Sequence, residues 1–198
     1  MNKIKNNSHG RLKNSAGFTL IEMLVVIAIV IFIVPVMFSV VFSVLREQTK
    51  IYRLSTVKEE GDYVLNRVSS TIRNYAISIH SASPPDDNNQ KCKAVETYSS
   101  SSSLYFQDEW GEWFSFYLSS GTISSSSSQL AQPQSLNSDK TAIYDFSIGC
   151  TRAASYSPPT ISLSFNICYV TSAGSCASTR PEEFSDLHFQ TKIKLRNY

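Results

Sequence analysis

The sequence predicts an α+β protein, a long N-terminal helix packed on an antiparallel β-sheet, and three patterns along the chain carry that prediction. Residues 18–45 form one apolar run. Residues 51–79 repeat apolar side chains every three or four positions. Beyond Pro84 and Pro85 the chain alternates apolar and polar residues. The first two patterns belong to helix and the third to strand. Helix precedes strands in the chain, so the layers are segregated rather than interleaved.

Composition narrows the function classes. A chain of 198 residues, 42% hydrophobic and 12% aromatic, is long and apolar enough to bury one core beside its N-terminal segment. The formal charge of +2 is unevenly spread, because Lys3, Lys5, Arg11 and Lys13 fall in the first 17 positions with no acid beside them. Taking those four from the 18 basic residues leaves 14 against 16 acids, a balance near −2. That bulk charge lacks the basic footprint of a nucleic-acid binder, and no nucleic-acid partner is expected from it. Cys92, Cys150, Cys168 and Cys176 form no CxxC pair, and His9, His80 and His188 lie far from them, so no zinc spacing is present. No metal or other cofactor is expected. Four cysteines downstream of a membrane segment fit an oxidising compartment outside the cytoplasm. Three pairings are open; the preferred one joins Cys168 to Cys176 across a turn at Ala173 and Gly174, and Cys92 to Cys150.

Glu22 is the one charged residue between positions 18 and 45, and only Ser39 and Ser43 interrupt the apolar stretch after position 23. As helix the run would extend roughly 42 Å, more than the about 30 Å of a bilayer core, which about 20 apolar residues span. Lys13 and Arg46 flank it. A secretory signal would place its small-residue cleavage site after the apolar core. Here Ser15, Ala16 and Gly17 precede that core, so a cut at Gly17 keeps the helix. Positive charges do not decide orientation: four precede the span, and Arg46, Lys50, Arg53 and Lys58 follow it. Pro35, inside the span, is expected to kink the helix or remove one hydrogen bond.

The residues Gly17, Phe18, Thr19, Leu20, Ile21, Glu22, Met23, Leu24, Val25 and Val26 resemble the prepilin processing motif of type IV pilins and type II secretion pseudopilins. The resemblance implies cleavage after Gly17 by a membrane aspartyl protease, N-methylation of Phe18, and an assembly role for Glu22. It implies a single-pass protein of the cytoplasmic (inner) membrane, its leader cytoplasmic and its C-terminal domain outside, that later enters a filament. The implied partners are other pilin-like subunits, the prepilin peptidase, the inner-membrane assembly platform with its ATPase, and membrane lipid. In layout the C-terminal half is similar to the J-type minor pseudopilins. Glu22 has a physical reason of its own: a carboxylate in hydrocarbon costs about 2.5–3.5 kcal/mol, so it needs a partner. The freed amine of Phe18 on a neighbouring subunit would serve and would fix register.

The organisation expected is a leader over residues 1–17, a transmembrane helix over 18–45, an amphipathic continuation over 46–82 and a β-rich domain over 83–198. In the continuation, Ile51, Leu54, Val64, Leu65, Val68, Ile72, Tyr75 and Ile79 recur on one face, interrupted by Lys58 and Gly61. Pro84, Pro85 and the polar residues 86–90 are expected to end it. Residues 104–106 and 113–118 read as a hairpin with an acidic tip at 108–112. Residues 142–148 and 161–169 read as further strands. In the last one Leu187, Phe189, Ile193 and Leu195 share one face, with His188, Gln190, Lys192, Lys194 and Arg196 on the other. The serine runs 99–103 and 124–128 are expected to be loops, because serine competes for its own backbone and cannot fill a core.

Two constellations contain the elements of chemistry. Ser185, Asp186 and His188 supply the residue types of a hydrolase triad, but adjacency on one strand counts against it, since triad members converge from separate elements. Asp86, Asp87, Asn88 and Asn89 offer oxygens to calcium yet lack the spaced ligands of a calcium loop, and a solvated turn is expected. The expectation is a structural subunit, a minor pilin or pseudopilin, and not an enzyme. The alternative is a single-pass anchored binding protein that does not assemble.

Overall fold

The computed structural model describes residues 17–170, 176 and 185–196. The chain divides into two units, one ending at Leu45 and one beginning at Arg46. Helix α1, Leu20–Tyr75, contributes to both.

In the first unit every side chain from residue 17 to residue 45 is exposed. Leu, Met, Ile, Val and Phe on all faces of a helix suit a non-aqueous environment or a bundle, because no polar face is left for water. Phe38 and Phe42, one turn apart, stack with centroids 6.3 Å apart. Pro35 lies inside α1 without ending it. Its ring nitrogen has no hydrogen to offer the carbonyl one turn earlier, and neighbouring turns keep the helix continuous.

The second unit joins the rest of α1 to two antiparallel sheets, which confirms the α+β class and divides its strand layer in two. Strands β1 (Ser78–His80), β2 (Gln90–Lys91), β4 (Ser103–Gln107), β5 (Trp113–Ser119), β6 (Thr122–Ser127) and β7 (Gln134–Ser135) form one sheet in the order β2-β1-β4-β5-β6-β7. Strands β3 (Thr97–Ser100), β8 (Thr141–Thr151), β9 (Thr160–Tyr169) and β10 (Asp186–Lys194) form the other, in the order β10-β9-β8-β3. The core collects Val57, Val64, Val68 and Ile72 of α1 with Phe106, Phe116, Ile143, Phe165 and Ile193 of the sheets.

The gap that Gly61 leaves in the apolar stripe is a packing device. A Cβ there would stand 2.3 Å from the Phe189 ring, and that ring lies flat on Phe165 at 5.5 Å between centroids. Glycine costs a helix interior roughly 0.5–1 kcal/mol; here it lets an aromatic pair approach the helix backbone.

Two expectations are corrected. The helix ends at Tyr75 rather than continuing through Ile79, because Ile77 and Ile79 also fit a period of two. The Ile77 N–H donates to the Gln107 carbonyl at 2.9 Å, and Ile79 pairs with Phe106 across β1 and β4. The serine runs are largely strand. Ser99 and Ser100 close β3, Ser103 opens β4, and Ser124 to Ser127 lie in β6. Pairing with β8 for Ser99 and Ser100, and with β5 for the others, overrides their weak propensity, and the small side chains bond across the ladder, as where the Ser115 and Ser126 hydroxyls meet at 2.8 Å.

Glu60 ties α1 to the segment before β8 and to the first residue of that strand. Its carboxylate accepts from the Ser138 N–H at 3.1 Å, the Ser138 hydroxyl at 2.5 Å and the Thr141 hydroxyl. Partial burial works against the charged form, but these hydrogen bonds and the charge of Lys140 outweigh it and hold the carboxyl below its ordinary 4.5. A depressed folded value means stability that is fully present above the unfolded pKa and is lost as pH falls through the folded one. Glu60→Gln is therefore expected to lower the thermal midpoint near neutral pH. The gap to the wild type should close as melts are repeated below about pH 4.

Candidate processing and assembly site

Gly17 and Phe18 precede the helix and are exposed, Phe18 at 79%. Among the described residues, nothing lies within 4 Å of where a Gly17 side chain would begin.

Glu22 lies in the first turn of α1. Thr19 is the N-cap: its hydroxyl accepts from the Glu22 N–H at 3.3 Å. The Glu22 carboxylate in turn accepts from the Thr19 N–H at 2.9 Å and the Thr19 hydroxyl at 3.1 Å. This reciprocal pair is a capping box, satisfying two backbone donors that a helix N-terminus leaves open. An acid at this end also complements the positive pole of the helix. Thr19 is the residue that the sequence reading missed, although its signal, Thr-x-x-Glu ahead of an apolar run, is present at positions 19–22. Among the described residues, a single chain thus already gives Glu22 polar partners but no counter-charge.

The other candidates are placed elsewhere. Cys92 and Cys150 are joined, their Cα atoms 6.3 Å apart, as are Cys168 and Cys176 at 5.7 Å. Both separations suit disulfides, and both pairs are the preferred ones.

Ser185, Asp186 and His188 are neighbours without a relay. His188 Nδ1 lies 2.6 Å from Asn166 Oδ1, and Asn166 donates to Asp145 at 3.0 Å. Asp186 instead acts on Tyr144: burial first, then the Asp186 hydrogen bond and the charges of Asp186 and Asp145, push the Tyr144 phenol up to about 12. Ser185 Oγ has no hydrogen-bond partner among the described residues. A serine without a base at hydrogen-bond distance lacks the geometry of an activated nucleophile.

Asp86 and Asn89 are used within their own turn. Asp86 Oδ1 accepts from the Asn89 N–H at 2.8 Å, and Asn89 Oδ1 accepts from the Asp86 N–H at 3.1 Å. Asn89 Oδ1 also lies 2.7 Å from Nδ1 of His80, a buried side chain whose Nε2 meets the Ser78 hydroxyl at 2.8 Å. At the hairpin tip, Asp108 Oδ1 accepts from the N–H groups of Trp110 and Glu112 at 3.0 and 2.9 Å. Trp110 itself is left 69% exposed.

Residues 12–34 match the model of the prokaryotic N-terminal methylation motif. No curated protein and no solved structure matches the chain. The matched segment takes in the Gly17-Phe18 bond, the capping box and the first turns of an apolar helix long enough to cross a membrane. The chain therefore carries a prepilin-type N-terminal methylation motif at the head of an apolar helix, an arrangement consistent with the type IV pilin-like family.

Proposed function

We propose that this protein is a minor pilin or pseudopilin, a structural subunit of a type IV pilus-like filament. Residues 1–17 are the cytoplasmic leader, and residues 18–45 hold the chain in the inner membrane with the β-rich domain outside. A prepilin peptidase cuts after Gly17, and Phe18 is N-methylated before an assembly platform draws the subunit into the filament. One observation carries the reading: an exposed Gly17-Phe18 bond stands directly before a helix that is apolar on every face and bears a single acid in its first turn.

Cleavage converts the Phe18 amide nitrogen into an amine that is cationic when protonated. Methylation to a secondary amine keeps it basic. In a bundle of such helices, that cation and the Glu22 carboxylate of another subunit are the two charges in an otherwise apolar layer. Pairing them relieves both, whereas a register slip leaves each without a counter-charge. The disulfides suit a domain that matures in an oxidising compartment.

Mass spectrometry of the chain's native N-terminus tests this reading. The expected product has 181 residues, the 198 of the precursor less the 17 of the leader, and begins with N-methyl-Phe18. An intact Met1, or a cut C-terminal to Leu45, overturns it. A second reading, a single-pass anchored binding protein, is favoured by the capping box alone, since Thr19 and Glu22 satisfy each other without any neighbour. That reading requires neither cleavage after Gly17 nor methylation, so the same measurement separates the two.

A further inference from the structure

Summed over the chain, charge gives no reason to expect a polyanion partner; the fold, however, gathers cations that the sequence scatters. Arg67 and Arg73 project from the last turns of α1, and Lys192, Lys194 and Arg196 from β10 and the residues just after it; all five are exposed. Arg67, Arg73 and Arg196 line one open cavity of about 520 Å³. Arg73 and Arg196 also line a second, of about 560 Å³, together with Lys192 and Lys194. These two lysines continue into a third, beside Thr160 and Ser162. Shared walls make the three cavities one shallow strip.

Among the described residues, the walls of the strip hold no carboxylate. No acidic residue occurs within 63–85, 151–170 or 187–196, the segments that build it. None of the five cations makes an ion pair with a described carboxylate. Five uncompensated positive charges repel one another, and an anionic occupant would relieve that repulsion.

We propose that this strip docks a single-stranded nucleic acid through its phosphodiester backbone. Ile193 and Leu195 are buried, so Lys192 and Lys194 stand on the same outward face roughly 7 Å apart, with Arg196 next in line. The row suits a repeating anion better than a single ion. The remaining walls are hydroxyl and amide donors, among them Asn66, Ser70, Thr160 and Ser162, the groups that accompany Arg and Lys on phosphate oxygens. Tyr63, 56% exposed at one end, offers a face on which a base can stack. An acidic protein surface would meet the same charges, but protein interfaces rely on apolar or aromatic anchors at their centre. Here the large apolar or aromatic side chains among the walls of these three cavities are Leu195, which is buried, and Tyr63, which stands at one end of the strip rather than at its centre.

The test is fluorescence anisotropy of a fluorescein-labelled 20-nucleotide single-stranded DNA of mixed sequence, with the full chain in non-ionic detergent. Five neutralised phosphates give a salt slope of about −3.5, so affinity should fall about 100-fold between 50 and 200 mM salt. Arg73→Gln, Lys194→Gln and Arg196→Gln together should remove about 2 from that slope, and each alone about 0.7. The triple variant should bind more than ~10-fold more weakly at 50 mM salt. A control that neutralises Arg46, Lys50 and Lys58, outside the strip, should stay within about twofold of wild type. The single variants keep the test readable if the triple variant melts early. The proposal is overturned if the strip variants bind as the wild type does, or if the control loses as much. It also fails if polyglutamate of equal charge competes as well as unlabelled DNA, which would make an acidic protein surface the occupant.

Discussion

Glu22→Ala is expected to abolish incorporation into filaments while leaving the chain processed and membrane-anchored. The capping box complicates the interpretation of that one variant, because alanine removes two roles at once. It deletes the carboxylate that a neighbour's amine would meet, and also the acceptor of the Thr19 N–H. Two companions separate them. Glutamine suits the same capping position, so Glu22→Gln keeps the cap and removes only the charge. Thr19→Ala keeps the charge and removes the cap, at about 1 kcal/mol of helix stability. If inter-subunit charge pairing drives assembly, Glu22→Gln should fail as completely as Glu22→Ala, with Thr19→Ala retaining most incorporation. The measurement is the ratio of filament-associated to membrane-bound chain by immunoblot of sheared and cell fractions. Normal incorporation of Glu22→Gln would reduce Glu22 to a capping residue and sink the assembly argument.

Legibility followed the range of the forces involved. The capping signal of Thr19 and Glu22, the apolar run and the alternation of β9 and β10 are local patterns, and all of them stand in the sequence. The end of α1 was less legible because Ile72, Ala76 and Ile79 continue a helical stripe while Ile77 and Ile79 also fit a strand. Only pairing with Phe106 and Gln107, distant in sequence, decides for the strand. The serine strand β6 shows the same effect, since nothing in Ser124 to Ser127 says strand until β5 lies beside it. Gly61 looked like a defect because its partner, Phe189, is 128 positions away. The cationic strip was hidden for a further reason. Net charge is a sum, and a sum erases the sorting of acids and bases that folding produces.

That same distance argument gives the largest expected loss of stability. The Cys92–Cys150 disulfide spans 58 residues, whereas Cys168–Cys176 spans 8. Closing the longer loop removes unfolded-state entropy worth about 4 kcal/mol, against about 2.5 kcal/mol for the shorter. The longer bridge is also buried at both ends, Cys92 at 0% and Cys150 at 1% exposure. It links residues from the two sheets, since Cys92 directly follows β2 and Cys150 lies in β8, where it pairs with Tyr98 of β3. Replacing both Cys92 and Cys150 by alanine should therefore lower the thermal midpoint of the β signal by roughly 10 °C, as expected for about 4 kcal/mol in a domain of this size. The Cys168 and Cys176 double variant should lose only about half as much, because that bridge closes a separation of only 8 residues and its removal leaves the link between the sheets intact. Circular dichroism melts of the detergent-solubilised chain decide it, and a larger loss for the Cys168 pair would show that the terminal strand, rather than the link between sheets, limits the fold.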